Sequence, residues 1–256
     1  MNIELATLMD HFYKLMWPML RISALLMTAP IFSLNALNLR IRILFGLALT
    51  VMVYPLYDWP VIDPLSGMGL LEMANQITLG VLMGLTLQVV VAAVLVAGQT
   101  ISNSVGLSMA TLIDPNTGNV PVLSQFLIIL STLIFIGLGG HALLIGMVID
   151  SFSTMPIGKS LLSASAWTGL AAWSSMMFLG ALLTALPVVV TMLFINMGLG
   201  ITTRAAPALN IFSVGFPALL LAGFAIMIMS LPSMGARIQW LWLQGLQQVN
   251  QLLGIA

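Results

Sequence analysis

Apolar residues run along this chain in long blocks separated by short polar breaks. Six blocks approach the roughly 20 apolar residues that a helix needs to cross about 30 Å of hydrocarbon. They are Ile3–Ala29, Ile41–Leu56, Leu70–Ile101, Val122–Ile149, Leu161–Met197 and Phe212–Leu231. The first is interrupted by charge, the second is short, the third is long, and the fifth is cut by Pro187. From Gly235 an amphipathic tail follows, with Trp240, Leu243, Leu246 and Val249 or Asn250 near one face. Gln239, Gln244, Gln247, Gln248 and Gln251 fall mostly elsewhere. Trp240 and Trp242 suit a boundary between water and lipid. The tail is expected to pack on neighbouring subunits or to lie along the membrane surface. The pattern predicts an all-α, polytopic integral membrane or membrane-associated protein built of kinked helical hairpins.

Proline and small residues refine this picture. Pro18 and Pro187 lie inside apolar blocks, where a lost hydrogen bond is expected to interrupt the helix. Pro30, Pro55, Pro60 and Pro64 mark loops. Gly80 and Gly84 form a Gly-x-x-x-Gly pair, continued by Ala93 and Ala97, and such spacing lets helix backbones approach closely. In the first block, Asp10, Lys14 and Arg21 fall on one face at about 100° per residue. Two readings follow: an internal Asp10–Lys14 pair with Arg21 reaching for the membrane edge, or a polar face docked on a partner subunit. Arg40, Arg42 and Arg204 fall in the first and fifth loops, which the positive-inside rule makes cytoplasmic. Asp58, Asp63 and Glu72 fill the second loop, while Lys159 and Arg237 on the far side weigh against that orientation.

Composition narrows the function. Of 256 residues, 60% are apolar and 5% are charged, where a soluble domain carries roughly 25% charged residues. Mean hydropathy is +1.12. Seven basic and seven acidic residues cancel, so no basic patch is large enough for nucleic acid. There is no cysteine, which excludes disulfides and thiolate metal sites. Glu4 and Asp10 stand where a signal peptide would be basic, so the first block is expected to remain in the mature protein. The two histidines, His11 and His141, form no metal pattern. No paired carboxylates, Ser-His-Asp set or phosphate-binding Gly-x-x-x-x-Gly-Lys occurs in plausible form. His141, after "GLGG", is either a proton-handling residue or a neutral imidazole bonded to a carbonyl; Asp150 is half a turn out of phase with it. No enzyme, cofactor or metal is expected.

The polar material is concentrated in two strips, "VGLSMATLIDPNTGNVP" and "TTRAAPALNIFSVGFP". The runs "GQTISNSVGLSMATLIDPNTGNVPVLSQF", "IFIGLGGHALLIGMVIDSFSTMPIG" and "GLGITTRAAPALNIFSVGFP" together resemble the FliR family of flagellar biosynthesis proteins. That family has a counterpart in virulence-associated type III secretion. The resemblance covers about Gly98 to Pro232. It rests on Asp114-Pro115 with Gly118, Gly139-Gly140-His141, Ser151-Phe152 with Pro156, and Arg204 with Pro207 and Asn210-Ile211-Phe212.

The resemblance implies one helical export-gate domain over residues 1–256. Residues 1–160 would be a FliP-like part, and residues 161–256 a FliQ-like hairpin with a C-terminal helix. The hairpin tip would hold Arg204, Pro207 and Asn210. The family's helices form a spiral partly raised above the membrane plane. The implied function is that of a flagellar type III export-gate subunit in the bacterial inner membrane, at the basal body. FliP-like and FliQ-like subunits would join it around a channel for unfolded flagellar proteins, with an FlhB-like export-switch protein as a further partner, and lipid around it. In the family, a loop such as 106–121 lies across the closed channel as a plug. The residues so implied are Gly106, Leu107, Met109, Leu112, Ile113, Asp114, Pro115, Asn116, Gly118 and Pro121. The residue types suit that role: glycine and proline prevent continuous helix, Asn116 and Asn119 favour turns, and irregular backbone at membrane depth needs protein or a water-filled cavity around it. Leu107, Met109, Leu112 and Ile113 would seal against apolar partner side chains. The 19 methionines suit surfaces that repack. The alternatives are a virulence-type counterpart, a small-solute transporter, a scaffold without lumen contact and, for the loop, a plain cytoplasmic connection.

Overall fold

The structure, a computed structural model, describes residues 2–32, 38–107, 121–159, 164–205 and 215–254. Among these residues there are eight α-helices and no strand. The helices are α1 (Asn2–Thr28), α2 (Leu39–Val53), α3 (Gly67–Val105), α4 (Val122–Gly137), α5 (Gly140–Thr154), α6 (Ala164–Ser174), α7 (Met176–Ala205) and α8 (Phe216–Leu253), with a 3-10 turn at Tyr54–Leu56. The chain is all-helical, as its apolar blocks predict.

The count of spans differs from the six blocks. Four stretches are long and apolar enough to cross a membrane: Leu39–Leu56, Gly67–Val105, Ala166–Ala205 and Phe216–Leu253. A fifth arises if α4 and α5 form one broken span. Helix α1 is not among them, because Glu4, Asp10, Lys14 and Arg21 dilute its apolar run. At 1.5 Å per residue, the 39 residues of α3 and the 38 of α8 each need nearly twice the hydrocarbon thickness.

The prolines do not break the helices. Pro18, Pro187 and Pro232 lie inside continuous α1, α7 and α8. A helix can absorb one missing N–H and a local bend when packing holds both sides in place. The fifth block is interrupted instead at Ser175, between α6 and α7. From Phe216 onward, the sixth block and the amphipathic tail form one helix to Leu253.

The chain divides into two compact units. The first comprises Met1–Val89, Gly139–Ser174 and Gln244–Ala256. In it, the Gly-x-x-x-Gly pair of α3 faces α1. A Cβ on Gly80 would collide with Arg21 O, Ala24 and Leu25 N, and one on Gly84 with the Thr28 side chain and Ala29 N. The missing side chains let two backbones touch, and Trp17, Ile22, Leu25, Leu79, Leu82 and Met83 are buried in the same unit. Trp173 Nε1 donates to Thr86 O at 2.9 Å.

The second unit comprises Val90–Leu138 and Ser175–Leu243. Gly98 makes room for Ser124, whose hydroxyl donates to Leu95 O at 3.2 Å. Gly180 lies against Ala93 and Leu241. Trp242, expected at a water–lipid boundary, is instead fully buried. Its Nε1 donates to Ser131 Oγ at 2.9 Å and Ser131 O at 3.1 Å, and its ring meets Phe135 at 4.4 Å between centroids. The buried face of α8 here is Met234, Ile238, Leu241 and Trp242, and Leu243 is exposed. Of the face traced from sequence, Leu243 is exposed and Trp240 half-buried, while Leu246 and Val249 are buried in the first unit. Ser131 thus supplies the acceptor for the buried indole N–H of Trp242.

Candidate functional site

The predicted site residues that fall among the described residues lie in three places: along α1, at the ends of segment 106–121, and at the end of α7. Along α1 the predicted polar face divides. Asp10 is exposed, Lys14 is half-buried and Arg21 is fully buried. Asp10 and Lys14 make no ion pair with each other, and Arg21 does not reach for a membrane edge. Its guanidinium is consumed inside the first unit, so the predicted partner-facing set loses Arg21. Helical periodicity places three residues on one face, but the depth of cover over that face changes along the helix.

Every nitrogen of the Arg21 guanidinium is used. Nε donates to Gln76 Oε1 at 2.7 Å, Nη1 to Ser151 O at 2.8 Å and Ser151 Oγ at 2.9 Å, and Nη2 to Met155 O at 2.8 Å. The Phe152 ring lies 4.4 Å from the guanidinium carbon. Gln76 Nε2 in turn donates to Glu72 Oε1, so an amide relays the cation to its counter-charge. Both carbonyls sit at the C-terminal end of α5, where the helix dipole is negative; Ser151 O already accepts from Met155 N–H, while Met155 O lies past the last turn, where backbone acceptors lack intrahelical partners. Arg21 thus caps α5 from α1 while tied to α3, and the Ser151-Phe152 pair of the sequence motif forms its cradle. Glu72, expected in the second loop, instead lies buried inside α3, and Gln76 is absent from the sequence reading; the available signal is an acid and an amide four residues apart in an apolar block.

The segment 106–121 begins and ends at helix termini. Gly106 has φ 87°, and its N–H donates to Asn103 O at 3.2 Å while Leu107 N–H donates to Ser102 O at 3.0 Å. This paired bonding around a left-handed glycine closes α3. Pro121 is the N-cap of α4. Gly106, Leu107 and Pro121 are half-buried. Val105 is buried against Gly223, and the contact of Gly98 with Ser124 brings the two flanks of the segment together. Met109, Leu112, Ile113, Asp114, Pro115, Asn116 and Gly118 lie outside the described residues.

Arg204 is exposed in the last turn of α7, where its charge complements the helix dipole. Pro207 and Asn210 lie outside the described residues. His141 is exposed in the first turn of α5, just past the left-handed Gly139. Its ring makes no hydrogen bond among the described residues, which removes the expected bond to a carbonyl.

Residues 12–245 match the bacterial export proteins, family 1. The chain belongs to this family. Members similar to it are flagellar biosynthetic proteins FliR. It is 38% identical over 217 residues to the one from Pectobacterium carotovorum subsp. carotovorum, covering 84% of this chain and 83% of the relative. It is 36% identical over 217 residues, with the same coverage, to the one from Escherichia coli (strain K12). The protein from Bacillus subtilis (strain 168) is 28% identical over 226 residues, 87% of each chain. The span matched to the bacterial export family includes Arg21, both ends of segment 106–121, and Arg204. The resemblance to the FliR family read from the sequence is therefore a family relationship over most of the chain.

Proposed function

We propose that this chain is a subunit of a flagellar type III export gate in the bacterial inner membrane. With FliP-like and FliQ-like subunits it builds the channel through which unfolded flagellar proteins cross, and residues 106–121 plug that channel when it is closed. The single observation behind the plug is how this segment is bounded. Helix α3 is closed at Gly106, α4 starts after Pro121, and Gly98 and Ser124 hold the two flanks together. The segment leaves α3 eight residues beyond the Gly98–Ser124 contact and enters α4 three residues before it, and it is much longer than the roughly 4–6 residues of an ordinary connection. Its glycines, prolines and asparagines resist continuous helix, and its apolar residues suit a seal against partner side chains.

The experiment deletes Ser108–Asn119 in a host lacking its own copy. Assembly is checked by co-purification of two small apolar partner subunits, and ion leakage and motility are then measured. A plug gives leaky membranes with assembled gates. Tight membranes with assembled gates reject the plug, and a chain that purifies alone as a solute-binding monomer rejects the gate.

A further inference from the structure

A cavity in the first unit has no part in the proposed export role. It measures about 510 Å³ and is lined by Tyr57, Asp58, Trp59, Phe152, Pro156 and Lys159, among others. Two stretches far apart in sequence meet here: the one that follows the 3-10 turn after α2, and the one that ends α5.

The walls are fixed before any ligand arrives. Tyr57 OH donates to Ile149 O at 3.0 Å, and Trp59 Nε1 donates to Tyr54 O at 2.8 Å. The Trp59 and Phe152 rings meet edge to face at 5.1 Å, and Arg21 lies over Phe152. Lys159 is set at the rim by a turn in which its N–H donates to Pro156 O at 3.3 Å and Gly158 adopts φ 80°. Asp58 stands on the opposite strip of chain. Both charges are exposed, and neither has an ion-pair partner among the described residues.

The position is informative. The stretch Leu39–Leu56, long and apolar enough to cross a membrane, ends one residue before Tyr57; with that stretch in a bilayer the cavity would open near the headgroups, where tryptophan and tyrosine are favoured. An aromatic wall with one cation and one anion at the mouth is complementary to a zwitterion. A lone lysine would accept any phosphate, but the carboxylate penalises a headgroup that lacks a cation.

We infer that this cavity binds the headgroup of a phosphoethanolamine lipid. Lys159 Nζ donates to the phosphate, the Asp58 carboxylate accepts from the ammonium, and the aromatic wall covers the methylenes between them.

The test uses the full chain in detergent and native mass spectrometry after addition of phosphatidylethanolamine, phosphatidylglycerol or free O-phosphoethanolamine. The expected result is phosphatidylethanolamine retained about tenfold over phosphatidylglycerol. Lys159→Ala and Asp58→Ala each lower retention by a similar factor, and the double exchange D58K/K159D recovers part of it. Both side chains are exposed, so these variants keep the parent's melting profile. Equal retention of phosphatidylglycerol, or parental retention by both single variants, overturns the inference. So does free O-phosphoethanolamine that displaces the lipid at equal concentration, since the site would then serve a soluble ligand. The plug deletion leaves this result unchanged, so the two proposals fail independently.

Discussion

Replacing Arg21 by alanine tests how this chain holds α5 in place. The guanidinium makes four hydrogen bonds, to Gln76 Oε1, Ser151 O, Ser151 Oγ and Met155 O. At about 1.5–3 kcal/mol for each bond involving a charge, simple addition would overstate the loss. Ser151 Oγ still donates to Val148 O, and Ser151 O still accepts from Met155 N–H. Met155 O, Gln76 Oε1 and the Glu72 carboxylate behind it have no such substitute among these bonds. Breaking one side of a buried charged cluster costs about 3–5 kcal/mol, and we expect Arg21→Ala to fall there. Arg21→Lys keeps the charge but replaces a planar fork by a compact ammonium that cannot reach Gln76, Ser151 and Met155 together, so about 2 kcal/mol is lost. Equilibrium unfolding in mixed micelles, followed by circular dichroism, measures both. Hydrogen exchange at residues 151–155 adds a local readout, because an uncapped helix end frays first. An alanine variant within about 1 kcal/mol of the parent, or a lysine variant equal to it, would refute the capping argument.

Two further predictions follow from close packing and from the buried indole. Gly84→Ala places a methyl against Thr28 and the Ala29 backbone and should destabilise by about 1–3 kcal/mol. Gly146→Ala, in the middle of α5 with open space around it, should be neutral or stabilise by up to about 1 kcal/mol, so only Gly84→Ala should lower stability in the same unfolding assay. Trp242→Phe keeps the ring against Phe135 but removes the donor to Ser131. It should cost about 1 kcal/mol, whereas Trp242→Ala should cost about 3–5 kcal/mol. Equal losses for the two would show that the hydrogen bond, not burial, dominates at this position.

Much of the helical inventory was legible because hydrophobic runs and helix-ending residues act locally. The boundaries at Gly106 and Pro121 are of this kind: a left-handed glycine and a proline N-cap are properties of a few neighbouring residues. The Gly-x-x-x-Gly spacing announced a close approach, but only the packing named α1 as the helix it meets. The prolines misled, since a local preference for breaking a helix yields when both flanks are held by packing.

The sequence by itself determined the class of the protein: helical, apolar, and related by its motifs to an export family. Composition and periodicity need no knowledge of what lies opposite each residue. The tertiary structure alone decided the use of each polar side chain. Asp10, Lys14 and Arg21 share a helical face, yet Asp10 is exposed, Lys14 half-buried and Arg21 fully covered, by Gln76 and by the end of α5. Asp58 and Lys159 enter the sequence reading only as loop charges, and with Tyr57 they line one cavity in space. The free energy of a charge depends on its solvent and its partners, and for Arg21 these are supplied by chain segments 55 to 134 residues away.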